Sequence, residues 1–209
     1  MRTVYLIRHA APALPGGKRI CLSRTDLPLS EEGLAQSKVL TEAFSAIPLT
    51  GVYCSPLTRC VQTAGFLAEY PQVVSDLEEL GVGEWEGLTF DEIRRRFPEE
   101  YRLRGEDPVR HLIPGGENPL ACRDRAMSAV HQLLRETQGD IAIVSHAGVN
   151  RLLLCTLLDR ELQTFLQLPQ PYGCVNILRW QEERLWMEEV GLLPEEIKIR
   201  KTKGGSDFV

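Results

Sequence analysis

The chain has 209 residues, of which 43% are hydrophobic and 25% charged, a balance typical of a folded globular domain and not of a disordered chain. The formal net charge of −5 leaves no basic excess to neutralise a nucleic-acid backbone, so nucleic acid is not expected as a partner. No apolar run approaches the roughly 20 residues that a membrane-spanning helix needs, so no membrane partner is expected either.

The apolar run at residues 4–7 predicts a buried strand near the start of the chain. It is too short for the apolar core of a signal peptide, and Arg8 and His9 follow it at once. We therefore expect a cytoplasmic location. The six cysteines form no C-x-x-C pair, and we expect them to be reduced thiols packed as small hydrophobic side chains.

Segments with strand character alternate with helical segments along most of the chain. The predicted strands are residues 4–7, 51–54, 140–144, 175–180 and 184–190. The predicted helices are residues 30–44, a helix opened by Ser55 as N-cap and Pro56 as first helical position, then 91–97, 123–136 and 149–158. This alternation predicts an α/β fold, a three-layer sandwich whose mostly parallel central sheet carries helices on both faces.

Glycines and prolines interrupt the pattern between residues 81 and 122. We interpret this stretch, called the insert below, as a small lid over one end of the sheet and not as an independent domain. A single domain is expected to span residues 1–193. Residues 194–209 are expected to form a polar, loosely ordered C-terminal tail.

Two of the four histidines occupy matching positions in the sequence. His9 and His146 each follow a predicted buried strand and precede small residues. The carboxyl ends of parallel strands meet at one edge of a sheet, and ligands bind in the crevice there. We therefore expect the two imidazoles to share a site, although they come from opposite ends of the chain.

Arginines accompany these elements and are suited to an anion. Arg8 directly precedes His9, and Arg59 lies in the first turn of the helix predicted after residues 51–54. A helix N-terminus and two guanidinium groups favour phosphate oxygens. A nearby carboxylic acid can protonate a leaving oxygen, and the acidic segment 77–87 offers four candidates: Glu78, Glu79, Glu84 and Glu86.

Other catalytic patterns are missing from the sequence. Cys54 and Arg59 have four residues between them, one fewer than a cysteine phosphatase loop needs. No D-x-D pair, G-x-S-x-G elbow, Walker loop or H-E-x-x-H helix is present. With two candidate histidines and no cysteine cluster, we expect neither a metal site nor a cofactor.

Six segments together resemble signatures of the histidine phosphatase (phosphoglycerate mutase-like) superfamily. They are residues 6–10 (LIRHA), 25–33 (TDLPLSEEG), 54–59 (CSPLTR) with the following Gln62, Thr63 and Ala64, 79–87 (ELGVGEWEG), 114–117 (PGGE) and 145–149 (SHAGV). They occur in the family's order within residues 4–160. The short insert resembles the phosphatase branch, which includes the α-ribazole phosphatases, more than the mutases.

The resemblance implies a role for each candidate site residue. His9 would be the catalytic nucleophile and form a phosphohistidine. Arg8, Arg59 and His146 would bind the phosphoryl oxygens, with His146 also counted as catalytic. Glu79 would protonate the leaving group and then activate water. Flanking guanidinium groups are expected to lower the pKa of His9, which keeps it neutral near pH 7.

The activity implied by the resemblance is that of a phosphoric monoester hydrolase of the histidine acid phosphatase type. It would hydrolyse a small phosphorylated metabolite without a metal ion or cofactor. A phosphoglycerate-type mutase and a non-catalytic phospho-ligand binding module are the alternatives. Neither the natural substrate nor the oligomeric state can be read from the sequence.

The loop after His9 departs from the family pattern. It offers no counterpart of the family's Asn, and Ser23 stands where relatives often have Gly. The candidates for this wall of the phosphate pocket are Lys18, Arg19 and Arg24. The candidates for contact with a second charged group on a substrate are Tyr101, Arg102, Arg104 and Arg110.

Overall fold

A computed structural model describes residues 1–197 and has a six-stranded sheet at its centre. The strands are β1 (Arg2–Arg8), β2 (Gly51–Cys54), β3 (Gln72–Val73), β4 (Ile141–Ser145), β5 (Val175–Gln181) and β6 (Arg184–Leu192), in the spatial order β3-β2-β4-β1-β5-β6. The pairs β1–β4, β2–β4 and β2–β3 are parallel, whereas β5 is antiparallel to β1 and β6 to β5. The predicted mostly parallel sheet is therefore confirmed. The sequence did not reveal β3, because two exposed residues carry no periodic pattern.

Six α-helices connect or flank these strands. They are α1 (Glu31–Phe44), α2 (Thr58–Gly65), α3 (Phe90–Arg96), α4 (Pro98–Glu106), α5 (Pro119–Glu136) and α6 (Ala147–Leu157). Helix α4 was not predicted. Helix α5 begins four residues earlier than predicted, because the Asn118 side chain caps it by accepting from the Leu120 N–H at 2.8 Å. Helix α6 begins at Ala147 and not at Val149.

Alternate residues of the sheet face two separate cores, as expected for a three-layer sandwich. Tyr5 and Ile7 belong to a buried cluster with residues of α1 and α2. Val4 and Leu6 belong to a second cluster with residues of α5 and α6. Burial of each large aliphatic side chain contributes about 1.5–3 kcal/mol, so these two cores fix β1 between the helical layers.

The insert has a small hydrophobic cluster of its own. Trp85, Ile93 and Ile113 are buried together, and the Cys21 side chain from the loop after β1 packs against them. Isolated β-bridges join Val82 to Gly116 within the insert, and Ile20 to Thr89 between the insert and that loop. These contacts hold the insert against the loop that follows His9.

The end of the described chain is helical and packed. Residues 194–197 adopt helical structure, and Ile197 is buried in the same cluster as Phe44 of α1. The remainder of the predicted C-terminal tail lies outside the described residues. All six cysteines are free thiols, as predicted. Among residues 1–197, no helix is both long and apolar enough to cross a membrane.

Candidate active site

His9 and His146 meet because β1 and β4 are parallel neighbours in register. Arg8, the last residue of β1, lies opposite Ser145, the last residue of β4, so the next residue of each strand is a histidine. The two imidazole rings are 5.1 Å apart between centroids and pack edge to face. The structure thus brings the two predicted histidines together at the carboxyl edge of the sheet.

The contacts of His9 define its tautomer. Its Nδ1 lies 2.8 Å from the Ala10 carbonyl oxygen, which only accepts, so Nδ1 carries the proton. Its Nε2 accepts from the Arg59 Nε–H at 3.3 Å and therefore bears the lone pair. Burial, followed by the charges of Arg59 and Arg8, holds the pKa of His9 well below 6.5. The lowered pKa agrees with the prediction, although burial and not the arginines is its first cause.

Arg59 is almost fully buried in the first turn of α2. Its Nη1 donates to the Thr25 carbonyl at 2.9 Å, and its Nη2 donates to the Ser23 carbonyl and reaches His146 Nδ1 at 3.4 Å. In the part of the chain that the structure describes, no carboxylate forms an ion pair with it. The guanidinium therefore keeps an uncompensated positive charge beside both histidines, as an anion site requires.

The loop that holds Arg59 is itself held by the insert. The Glu86 carboxylate accepts hydrogen bonds from the backbone N–H groups of Ser23, Arg24 and Thr25 at 2.9, 3.0 and 3.3 Å. Two carbonyls of this loop bind Arg59. Ser23 thus contributes to the site through its backbone N–H and carbonyl groups. Its hydroxyl donates to the Leu80 carbonyl at 2.6 Å.

His146 is fully buried and bonded to the segment before α2. Its Nε2 lies 2.6 Å from Ser55 Oγ, while Nδ1 faces the Arg59 donor. Nδ1 therefore accepts, and the Nε2–H donates to Ser55. Burial, His9 and the charges of Arg59 and Arg8 hold the pKa of His146 well below 6.5.

The predicted start of α2 is wrong, and the anion site predicted there is already occupied. Ser55 bonds to His146 instead of capping the helix, which begins at Thr58 with Leu57 at the N-cap position. The Asp26 carboxylate accepts from both the Thr58 N–H and the Thr58 hydroxyl at 2.7 Å. The Asp26 carboxylate therefore caps the helix, the role predicted for Ser55. It also places its negative charge at the helix N-terminus, where a phosphate was predicted.

Arg8 reaches the site from the other side of His9. Its guanidinium lies 3.8 Å from the ring centroid of Tyr172, and its Nη1 donates to the Gln170 carbonyl. Its buried Nε–H has no hydrogen-bond partner. Burial lowers the pKa of Arg8. Sequence reasoning missed Tyr172, because it lies in an irregular loop without a local pattern.

Of the four candidate acids, only Glu79 lines the cavity at this site. Its Oε1 accepts from the Leu80 and Val149 N–H groups at 2.8 and 3.1 Å, and its Oε2 accepts from the Gly148 N–H at 3.1 Å. The N-terminus of α6 thus binds this carboxylate. The other three candidates lie elsewhere: Glu78 pairs with Arg24 at 3.2 Å, Glu84 is exposed, and Glu86 holds the loop that binds Arg59.

The cavity has a volume of about 440 Å³ and contains both His9 and Glu79. Its apolar lining comes from the loop after His9, the insert and the segment before β5: Leu14, Ile20, Leu22, Leu80, Val82, Trp85, Phe90, Ile113, Phe165 and Leu166. Arg8, Arg19, Arg104 and Arg151 line it as well. The pocket is therefore mostly apolar, with several cations and one acid.

The other residues predicted to form the phosphate-pocket wall or to contact a second charged group do not line this cavity. Lys18 lies on an outer surface basin, and Arg24 pairs with Glu78 and Glu117. Arg102 pairs with Glu99 and Glu106 on the exposed face of α4, and Arg110 is exposed. The Tyr101 ring packs against Trp85 with 6.0 Å between the ring centroids. Arg151 was missed, although its position one helical turn after Ala147 places it on the same face of α6.

Among residues 1–197, no group of three or more His, Cys, Asp or Glu side chains is arranged to hold a metal ion. The polar groups that line the cavity include the neutral imidazole of His9, several guanidinium groups and one carboxylate. The imidazole of His146 packs against His9 but does not itself line the cavity. This combination is suited to a tetrahedral oxyanion and to proton transfer near it.

Comparison with known proteins identifies the class. A model of the histidine phosphatase superfamily (branch 1) matches residues 4–192, and the chain therefore belongs to this superfamily, as predicted. Phosphoserine phosphatase 1 of Hydrogenobacter thermophilus is 29% identical over 194 residues, which cover 88% of this chain and 89% of that protein. The 6-phosphofructo-2-kinase/fructose-2,6-bisphosphatase of Gallus gallus is 31% identical over 186 residues, or 83% of this chain, but this chain spans only 38% of that relative.

Solved structures show the same fold. YhfR of Bacillus stearothermophilus superposes with a TM-score of 0.82 at 26% identity, covering 90% of this chain and 96% of that chain. The α-ribazole phosphatase of Shigella flexneri superposes with a TM-score of 0.80 at 22% identity, covering 91% and 96%, a likeness of fold. The likeness of fold extends over about nine tenths of the chain and agrees with its place in the histidine phosphatase superfamily.

Proposed function

We propose that the protein is a metal-independent phosphomonoesterase that forms a phosphohistidine on His9. The observation that carries this proposal is the state of His9, a neutral imidazole whose unprotonated Nε2 faces the guanidinium of Arg59. A neutral imidazole is the nucleophilic form, and an adjacent cation stabilises the charge that develops on the transferred group. A pKa well below 6.5 keeps this form present in mildly acidic solution, which supports an enzyme of the acid phosphatase type.

The first step transfers the phosphoryl group from the substrate to the protein. His9 Nε2 forms a bond to phosphorus while the bond from phosphorus to the ester oxygen breaks. Arg8 and Arg59 neutralise the charge of the phosphoryl oxygens, and His146 supports the site as a neutral imidazole packed against His9. Arg59 Nε–H now donates to His9, so a phosphoryl oxygen that takes this hydrogen bond also frees the attacking lone pair.

Glu79 is proposed to handle the proton in both steps. As a carboxylic acid, it gives its proton to the leaving oxygen, and the alcohol departs. As a carboxylate, it then takes a proton from a water molecule that attacks phosphorus, and the bond between phosphorus and Nε2 breaks. This restores neutral His9 and protonated Glu79. Its place on the cavity wall with His9 supports the assignment, and the N–H groups at the N-terminus of α6 orient it and favour the carboxylate that acts in the second step.

The cavity beyond the phosphoryl position indicates the chemistry of the leaving group. Arg104 is almost fully buried, and its Nη1 donates to the Pro108 and His111 carbonyls at 2.8 and 3.1 Å. In the described part of the chain, neither Arg104 nor Arg151 forms an ion pair with a carboxylate. Burial lowers the pKa of both guanidinium groups. A buried cation is costly without a counter-charge, so we propose a substrate whose alcohol is partly apolar and carries a second anionic group.

The names of the relatives agree with a second anionic group on the substrate. Phosphoserine carries a carboxylate, and fructose 2,6-bisphosphate carries a second phosphate, beside the phosphate that is removed. For this chain, the substrate class is supported by the unpaired arginines of the cavity. The small phosphorylated metabolite, the cytoplasmic location and the absence of nucleic-acid or membrane partners remain predictions from the sequence.

The test is hydrolysis of an aryl phosphate by the purified protein in excess EDTA. We expect turnover that is unaffected by EDTA, lost in His9→Ala, and kept in His131→Ala, a histidine on α5 that packs on Trp180 away from the cavity. Rapid quenching with labelled substrate should trap an acid-labile phosphoenzyme that His9→Ala does not form.

Other outcomes would select the alternatives. Transfer of phosphate between positions of phosphoglycerate, faster than its release, would identify a mutase. A folded protein that binds phosphate but turns over no ester in a panel of small phosphomonoesters between pH 5 and 8 would identify a non-catalytic binding module. Activity that EDTA abolishes and a divalent ion restores would contradict the proposed mechanism.

A further inference from the structure

A cluster of charged side chains lies behind the cavity wall that carries Glu79. Glu117 follows the Gly115–Gly116 turn at the end of the insert, Arg125 lies on α5, and Arg24 comes from the loop after β1. The Glu117 carboxylate accepts from Arg125 Nε at 2.7 Å and Arg125 Nη2 at 2.9 Å, and from Arg24 Nη2 at 3.0 Å. We call these three residues the Glu117 cluster. None of them lines the cavity.

The Glu117 cluster contacts the main chain on both sides of Glu79. The Glu117 carboxylate accepts from the Gly81 N–H at 3.2 Å, and the Glu117 N–H donates to the Gly81 carbonyl at 2.9 Å. Arg24 Nε lies 3.3 Å and Arg125 Nη2 3.5 Å from the Glu79 carbonyl oxygen. Glu79, the candidate proton donor, is therefore held in place through hydrogen bonds to its backbone.

A further contact extends this hold to the segment before Glu79. Arg125 Nη1 donates to the Asp76 carbonyl at 2.6 Å. One guanidinium thus bonds to main-chain carbonyls three residues apart, at Asp76 and at Glu79. Rotation of the Glu79 backbone would break bonds on both sides, so the cluster restricts the direction in which the Glu79 side chain leaves the chain.

Burial and geometry distinguish this cluster from an ordinary surface ion pair. The Glu117 and Arg125 side chains are 17% and 20% exposed, and the pair is bidentate. Burial opposes the charged form of Glu117, but the hydrogen bonds and charge of Arg125 outweigh it, so the pKa of Glu117 is lowered. Charge-assisted, bidentate pairs of this kind fix geometry better than exposed pairs, which contribute only about 0–1 kcal/mol.

We propose that Glu117, through Arg125, is a positioning residue for the proton-transfer function of Glu79. This inference rests on the proposed function, in which Glu79 protonates the leaving oxygen. Proton transfer requires donor and acceptor within hydrogen-bond reach, so a small displacement of the Glu79 carboxylate slows it. Among the described contacts, Glu117 bonds to none of the residues proposed to bind phosphate. Loss of the Glu117 carboxylate should therefore leave phosphate binding unchanged.

The test compares two leaving groups in Glu117→Gln. A 2,4-dinitrophenyl phosphate releases a stable anion that needs no proton, whereas a simple alkyl phosphate releases an alkoxide that needs one. Because kcat/KM covers only the steps up to phosphoenzyme formation, it isolates the first proton transfer. We expect kcat/KM for the alkyl ester to fall about 10–100-fold, and that for the dinitrophenyl ester to change less than about 3-fold. Glu100→Gln, an exposed acid on α4, is the matched control and should change neither.

Two further variants separate a failure of this inference from a failure of the proposed function. Glu79→Gln should show the same leaving-group dependence, only larger; if it does not, Glu79 is not the donor and the inference fails with it. If Glu79→Gln shows the dependence but Glu117→Gln lowers both esters equally, the inference alone is overturned. In the Glu79→Gln background, the Glu117→Gln substitution should have no additional effect on the alkyl ester, since the two residues act through one step.

Arg125→Lys covers the case in which Glu117→Gln does not fold. This variant keeps the positive charge but cannot make the bidentate pair or bond to both carbonyls. It should show the same selective loss with the alkyl ester. Equal activity of Arg125→Lys and the unaltered protein on both esters would overturn the proposal.

Discussion

Arg59 and His9 are joined by a hydrogen bond of 3.3 Å from the arginine Nε–H to the histidine Nε2. Both side chains are almost fully buried, and the other two nitrogens of Arg59 are held by backbone carbonyls of the loop at residues 23–25. The contact fixes the imidazole tautomer and places a permanent positive charge next to the lone pair. A single guanidinium thus fixes the tautomer of the His9 nucleophile and supplies positive charge to the anion site.

Arg59→Lys tests whether this planar geometry matters beyond the charge. An ammonium group cannot bond at once to His9, to the two carbonyls and to a phosphoryl oxygen, so we expect kcat/KM to fall about 10²–10³-fold. Steady-state kinetics with an aryl phosphate and rapid-quench measurement of phosphoenzyme formation provide the check. Arg135→Lys, an exposed arginine on α5, is the control. A loss below about fivefold would show that charge alone suffices.

The two buried imidazoles predict how stability depends on pH. His9 and His146 have pKa values well below 6.5 in the folded protein, so between those values and about 6.5 the unfolded chain binds more protons than the folded one. The free energy of unfolding then rises with pH in this range and falls as the pH decreases, by at most about 1.4 kcal/mol per unit for each imidazole.

Urea denaturation in phosphate-free buffer between pH 5.5 and 6.5 measures this dependence. The unaltered protein should lose stability steadily toward the acid end of the range, and His9→Gln should have a smaller slope, because one buried imidazole is removed. His131, whose pKa is also lowered by burial, adds the same contribution to both proteins. Phosphate must be left out, since its binding to the folded state would add stability of its own. A flat profile would mean that the histidines are not buried as neutral groups.

Much of the site could be predicted because its residues stand at the ends of strands. A strand must be apolar on both faces to lie inside a parallel sheet, and the residue that follows it lies at the sheet edge. His9 and His146 are found by this rule alone, and Arg8 by its place beside His9. Glu79 needed the family resemblance, because the residues alone left four acids open and only the fold shows which one reaches the cavity.

The parts that the sequence did not reveal depend on contacts between distant segments. Ser55 and Pro56 have the local chemistry of a helix start, but Asp26 supplies the cap from another loop and Ser55 bonds to His146 instead. Tyr172 lies in an irregular loop with no local pattern, yet stacks on Arg8. In each case a tertiary contact decides what a local preference leaves open.

Gly148→Ala is predicted to disturb the proton donor directly. A Cβ at this position would lie 2.6 Å from Glu79 Oε1, so the carboxylate must move away from the N–H groups of residues 148 and 149. We expect a loss of about tenfold or more in kcat/KM with an alkyl phosphate, and a smaller loss with a dinitrophenyl ester. Gly105→Ala on α4, where a Cβ meets no atom within 4 Å, is the control. Equal losses with the two esters would point to a general distortion of α6.

Arg104→Leu tests the proposed second anionic group of the substrate. The guanidinium is buried at the cavity without a carboxylate partner in the described chain, so a carboxylate on the leaving group should be its counter-charge. We expect kcat/KM for carboxyphenyl phosphates to fall about 10-fold or more, while that for phenyl phosphate changes less than about 3-fold, since charge-assisted hydrogen bonds are worth about 1.5–3 kcal/mol. Arg102→Leu, on the exposed face of α4, should leave both unchanged. Arg104→Lys should restore part of the preference for carboxyphenyl phosphates, because it returns the positive charge without the paired N–H donors of a guanidinium. If Arg104→Leu lowers kcat/KM equally for both esters, Arg104 stabilises the insert and does not contact the carboxylate of the substrate.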